Sequence, residues 1–133
     1  MAEKILLEVV TPENKVVSED VNIVMSPGIE GEFGVLPGHT PYLTTLKTGA
    51  LHYKDANNAE KNVFVSGGFA EALPTKVTVL AESAELKEDI DVDRAKASKK
   101  RAEERLAKPD EDIDQVRARA ALLRATQRLN MAL

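Results

Sequence analysis

The chain has 133 residues, enough for one ordinary domain or for a small domain with an appendage folded against it. Apolar residues make up 43% and charged residues 30%, the balance of a globular chain, and the longest apolar stretches, such as Ile5 to Leu7, fall far short of the roughly 20 residues that cross a bilayer. The absence of cysteine excludes disulfide frameworks, thiolate chemistry and zinc-finger sites, and suits a reducing compartment. The formal net charge of −4 conceals an asymmetry: residues 1–89 carry 7 basic and 14 acidic side chains, net −7, whereas residues 90–133 carry 11 and 8, net +3.

Met1-Ala2-Glu3-Lys4 leads directly into strand-like sequence, without the basic and apolar regions of a signal peptide or the acid-poor stretch of a transit peptide. The expectation is a protein that folds where it is made. Period-two alternation, clearest in Val21-Asn22-Ile23-Val24 and Lys76-Val77-Thr78-Val79, predicts strands over 5–10, 15–17, 21–25, 42–46, 50–53, 62–66, 69–73 and 76–80. Turn chemistry separates them at Thr11-Pro12-Glu13-Asn14, Ser26-Pro27-Gly28, Leu36-Pro37-Gly38, Asp55-Ala56-Asn57-Asn58 and Ser66-Gly67-Gly68. Short strands at this spacing predict an antiparallel β-sandwich or small barrel rather than a parallel sheet, with a core of Val, Ile and Leu because aromatics are few. Gly28, Gly31, Gly34 and Gly38 superficially resemble a phosphate-binding loop, but no Gly-Lys-Ser/Thr ending and no helix pattern follow. The segment reads as a long glycine-articulated connection that can serve as a docking surface.

After Glu82 the sequence turns rich in Ala, Arg, Lys and Glu and contains no further glycine. Asp91 is positioned to cap a helix over 92–107, Lys108-Pro109-Asp110 breaks it, and Asp110 is positioned to cap a second helix over 111–131. Val92, Ala95, Ala102 and Leu106 fall on one stripe of the first helix, and Ile113, Val116, Ala120 and Leu123 on one stripe of the second. Alanine buries little area, so this hairpin is expected to be marginal alone and therefore movable.

His39 and His52 are the only histidines, neither has a second histidine at ligand spacing, and both read as turn or strand-surface residues. An enzyme would have to use Glu30 or Glu32 with His39 as an acid/base pair, with no third group to organise it. Lys99, Lys100, Arg101, Arg105, Arg117, Arg119, Arg124 and Arg128 make the hairpin basic. Interleaved Glu103, Glu104, Asp112 and Asp114, and the lack of aromatic stacking residues, argue for a solvated face or an acidic protein partner and against nucleic acid.

Gly31-Glu32-Phe33-Gly34-Val35-Leu36-Pro37-Gly38-His39-Thr40-Pro41 and Phe64-Val65-Ser66-Gly67-Gly68-Phe69 resemble the two most recognisable stretches of the ATP synthase epsilon subunit family, and the resemblance covers essentially the whole chain. It implies an α+β fold: an antiparallel β-sandwich over 1–86 that binds the gamma subunit and rests on the rotor ring, then an antiparallel two-helix regulatory hairpin over 87–133. It further implies a non-catalytic rotor subunit, peripheral to the membrane through its complex, whose hairpin either folds compactly against the sandwich or extends along gamma into the catalytic alpha/beta head, where it blocks hydrolysis. The implied location is the cytoplasmic face of a bacterial inner membrane, ahead of a plastid thylakoid.

Glu32 matches a position that meets the ring, and His39 one near gamma. Ile90-Asp91-Val92-Asp93-Arg94-Ala95 resembles the Ile/Leu-Asp-x-x-Arg-Ala motif associated with ATP binding in some bacterial members, and Glu85, Arg101, Arg124 and Arg128 match further positions of those members. On that basis no cofactor is required, and ATP is expected as a regulatory ligand. The alternative is a free-standing ATP-binding sensor, which has no need of the glycine segment.

Overall fold

The computed structural model describes residues 3–108 and 114–133. In β1 (Ile5–Val10) alternate side chains, Ile5, Leu7 and Val9, are buried, as a pleated strand with one face on a core requires. The same alternation buries Val77 and Val79 of β8 (Lys76–Leu80) and Ala70 and Ala72 of β7 (Phe69–Ala72). With β4 (Tyr42–Thr45) and the first half of β2 (Lys15–Gly28) these strands form one leaf. The second half of β2 forms the other leaf with β3 (Gly31–Val35), β5 (Gly49–Asp55), β6 (Glu60–Ser66) and β9 (Ser83–Leu86). Inward residues of both leaves share one core; among the described residues Tyr53 is its one buried aromatic side chain, and the partly buried Phe33 packs against that core.

The sandwich is thus present, with differences in detail. Every strand pair is antiparallel except β1 with β8, which is parallel, so the sheet is mixed. The two strands expected over 15–17 and 21–25 are one strand. Ser18, Glu19 and Asp20 interrupt the apolar pattern, but their backbones keep pairing with Glu8, Leu7 and Leu6. A bulge between Val21 and Ile23 then carries β2 from its partnership with β1 to that with β5.

The glycine-articulated connection contains a strand. β2 and β3 form a hairpin with a two-residue loop, Ile29-Glu30, closed by Gly31 at φ 132°, a conformation that suits glycine. Gly68, at φ 102°, leaves no room for a Cβ against the Leu80 carbonyl, which lets the turn before β7 pack directly on the end of β8. β9 has no counterpart among the strands expected from the sequence: four half-buried residues continue the sheet beyond β6 before a short 3-10 turn, Lys87–Asp89.

Helix α1 (Val92–Ala107) occupies the expected range, with the Asp91 carboxylate accepting from the Arg94 N–H at 3.0 Å. Helix α2 (Gln115–Ala132) is capped by Asp114, which accepts from the Arg117 N–H at 3.0 Å. The expected cap Asp110, the start at Glu111 and the stripe residue Ile113 lie outside the described residues. The expected stripe on α2 is corrected: Val116 and Leu123 are 71% and 46% exposed, whereas Ala118, Ala125 and Leu129 are buried. Two positions along a helix turn a side chain roughly 160° around the axis, so rows 116/123 and 118/125 lie on nearly opposite faces. Alanine wins because the facing helix also presents alanines, Ala95 and Ala102, and small residues on both sides let the backbones approach closely.

Polar groups are satisfied where the turns need them. Asp55 accepts from the N–H groups of Asn57 and Ala59, each at 2.9 Å, and pairs with Lys61 at 3.3 Å, bracing a turn in which Asn58 has φ 65°. The Ala59 N–H first, then Lys61 and Asn57, hold the Asp55 carboxyl below the usual aspartate range against the opposing effect of burial. The folded state therefore favours the ionised carboxylate. Its contribution is present above the unfolded value of about 4 and is lost as pH falls through the depressed folded value. Urea midpoints of the parent and Asp55→Asn at pH 7 and pH 2.5 check this: the variant is the less stable at pH 7, and the gap closes in acid.

Candidate functional site

The alternation that puts Val63 and Val65 of β6 into the core turns Phe64 to the opposite side of the leaf. Phe64 is nevertheless fully buried, because α2 packs across β5, β6 and the 3-10 turn. The guanidinium carbon of Arg128 stands 4.4 Å from the Phe64 ring centroid. Glu85, opposite Phe64 in the β6–β9 register, accepts from Arg128 Nε at 2.9 Å. One arginine thus covers an aromatic ring and meets a carboxylate on the neighbouring strand.

The residues expected to bind ATP are distributed around this contact. Glu85 and Arg128 are brought together, and Ile90 is buried where the 3-10 turn meets α1. Asp91 spends a carboxylate oxygen on the α1 cap, and Ala95 is buried in the helix seam. The exposed Arg101 donates to Ser98 on its own helix at 3.1 Å. Among the described residues, no hydrogen bond or ion pair engages the side chains of Arg94 or Arg124.

On β3, Glu32 lies 3.4 Å from His52 Nε2, across the β2 strand that separates them. The acid/base alternative is not assembled: Glu32 is paired with His52 rather than His39, and among the described residues no hydrogen bond or ion pair joins Glu30 to His39. His39 instead donates from Nδ1 to the Thr40 carbonyl, and its ring is 6.5 Å from that of Tyr42, which meets Phe33 edge to face at 5.3 Å. Phe33 adjoins Glu32 in sequence, so this aromatic cluster joins the β3 hairpin to the His39 loop. Among the described residues no group of three His, Asp or Glu side chains stands close enough to hold a metal ion.

The outer side of the first leaf carries residues that sequence reasoning passed over. Leu43 is 67% exposed, and Phe69 and Leu80 each 54%. The β-register places Phe69 opposite Thr45 on one side and Leu80 on the other, and Leu80 opposite Val10, giving a continuous apolar row. With Pro12 and Gly68 this row lines a shallow groove.

A family model described as the beta-sandwich domain of the ATP synthase Delta/Epsilon chain matches residues 4–87, and one described as its long alpha-helix domain matches residues 88–132. The ATP synthase epsilon chain of Desulfosudis oleivorans is 64% identical over 106 residues, 80% of each chain. That of Desulforapulum autotrophicum is 64% identical over 107 residues, 80% of this chain and 79% of the relative. A chain in the cryo-EM structure of the Euglena gracilis mitochondrial ATP synthase, described as OSCP/F1/c-ring, superposes with a TM-score of 0.81 at 25% identity, over 93% of this chain and 78% of that one. A chain of the Tetrahymena thermophila central stalk/c-ring structure shares the fold, with a TM-score of 0.63 at 11% identity over 98% of each chain.

Because Phe64 belongs to the contact between leaf and hairpin, Phe64→Ala is expected to cost about 3–5 kcal/mol, the range for truncating a buried aromatic. Hydrogen exchange should show the loss first in α1 and α2, with the strands retaining protection. Equal loss in helices and strands would mean that Phe64 supports the sandwich itself.

Proposed function

The chain belongs to the ATP synthase Delta/Epsilon family, and from that premise we propose that its sandwich fastens the gamma subunit to the rotor ring while its hairpin restrains ATP hydrolysis. It is a subunit of the ATP synthase and not itself a catalyst. In this reading residues 1–86 are the binding unit in the central stalk and residues 87–133 the regulatory one. The complex holds the chain at the cytoplasmic face of a bacterial inner membrane; no helix among the described residues is long and apolar enough to cross one.

The observation that carries the proposal is that the sandwich has two outer sides with opposite fates. One is closed by α2, and the other presents the open row Phe69 and Leu80, with Leu43 exposed on β4 two residues from Thr45, the partner of Phe69. An uncovered apolar row in a subunit of a larger assembly fits a protein partner, and gamma is the partner we assign to it. Glu32 and His39, joined through the Phe33–Tyr42 cluster, are assigned to the end that meets the ring and gamma.

Three features support the inhibitory role. The helix seam is built from alanines, so little area resists separation. At about 1.5 Å per residue, helices the length of α1 and α2 reach about 24 and 27 Å when extended. Net positive charge then suits an acidic surface on the catalytic alpha/beta head. ATP is proposed as the ligand that opposes extension: Arg94 and Arg101 of α1 with Arg124 and Arg128 of α2 would engage its phosphates and tie the helices together. Glu85, Ile90, Asp91 and Ala95 complete the site at its junction with the sandwich.

The central test is steady-state ATP hydrolysis by a source-matched, epsilon-depleted catalytic head. The full chain should bind and slow it, and a chain ending at Asp89 should bind without slowing it. Failure of both forms to bind the gamma-containing head would sink the rotor assignment. The ligand proposal is tested separately by calorimetric titration of the folded chain with ATP up to millimolar concentration: saturable heat is expected, and none above dilution would remove ATP from the account.

A further inference from the structure

We propose that Arg128, Glu85 and Phe64 form a clasp that fastens the hairpin to the sandwich without any nucleotide, and that its charge pair sets how often the hairpin is free. The inference rests on the reading that the hairpin can leave the sandwich, but it concerns the compact state alone. Among the described residues, the other ion pairs all stay within one part of the fold: Glu8 with Lys15 and Lys76, Lys61 with Glu19 and Asp55, and Glu32 with His52 in the sandwich, and Lys99 with Glu103 in α1. Among the described residues, Arg128 with Glu85 is the one ion pair that bridges sandwich and hairpin.

Its surroundings make it more than a surface pair. The two side chains are only 22% and 34% exposed, so solvent screens the pair less than it would a fully exposed one. The same guanidinium lies over Phe64, the largest fully buried side chain of the chain's described residues, at a place where the neighbouring rows of α2 offer mostly alanine. Charge neutralisation and ring coverage therefore depend on one side chain. Glu85 engages only Nε of Arg128, so the remaining N–H groups of the guanidinium can meet a ligand anion while the clasp stays closed.

The chain contains no cysteine, so Lys54→Cys and Glu104→Cys, both at exposed positions, permit a spin-label pair reporting the distance between sandwich and hairpin in the full chain. In nucleotide-free buffer at low salt the labelled parent should show one compact distance. Arg128→Met, which keeps an apolar stem over Phe64, and Glu85→Gln should each raise the population of long distances on the order of ten-fold. The exchange of Glu85→Arg with Arg128→Glu should return the distribution toward that of the parent.

An Arg128→Met distribution identical to the parent's overturns the clasp, as does a Glu85→Gln distribution identical to the parent's. The labelled parent bound to the epsilon-depleted head separates this from the inhibitory reading. Long distances there, with no effect of Arg128→Met in the free chain, reject the clasp and keep hairpin release. No long distances there, with an effect in the free chain, keep the clasp and reject release.

Discussion

A strand can bury neighbouring side chains only on opposite sides, and β6 asks for Val63, Phe64 and Val65 all to be buried. Two of them go into the sandwich, so the third leaves a large aromatic ring on its outer side. Something must cover that ring, and the chain supplies α2. The position of the hairpin, the burial of Ile90 beneath it and the pairing of Arg128 with Glu85 all follow from that requirement. The opposite leaf leaves Phe69, Leu80 and the nearby Leu43 exposed, and no described residue covers them.

These two sides divide the labour of the proposed stalk subunit. A side that the chain itself closes can be reopened, so it suits regulation. A side that stays open within the subunit suits a permanent neighbour. The electrostatic asymmetry runs the same way: an acidic sandwich holds a basic hairpin, and the attraction is concentrated at one arginine rather than spread over a large apolar surface.

Much of this was legible in the sequence, and the rest was not for identifiable reasons. Period-two runs located most strands, and Asp91 with Lys108-Pro109 bounded α1, because these signals are local. β3 was read as a connection because its glycines carry no side-chain pattern, although they are what closes a two-residue hairpin loop. β9 is four residues long in charged surroundings and exists through pairing with a strand nearly twenty positions earlier. The α2 face is not legible from hydropathy, because Val116 and Leu123 outweigh alanine on that scale, whereas the seam is governed by how closely two backbones can approach. Of the site, Glu85 and Arg128 came from resemblance. Phe64 had a physical signal that was not used: the unbroken run Val63-Phe64-Val65 indicates a strand covered on both sides.

The continuity of β2 has a mechanical consequence. Its first half belongs to one leaf and its second half to the other, so a force applied at the Ile29-Glu30 tip reaches the far leaf along covalent backbone, without relying on core contacts to transmit it. The sandwich then behaves as a stiff coupling under torque. The hairpin is tethered to it by one short stretch of backbone, the 3-10 turn at Lys87–Asp89, and is otherwise held by side chains, which makes it the compliant member of the pair, free to yield while the coupling keeps turning.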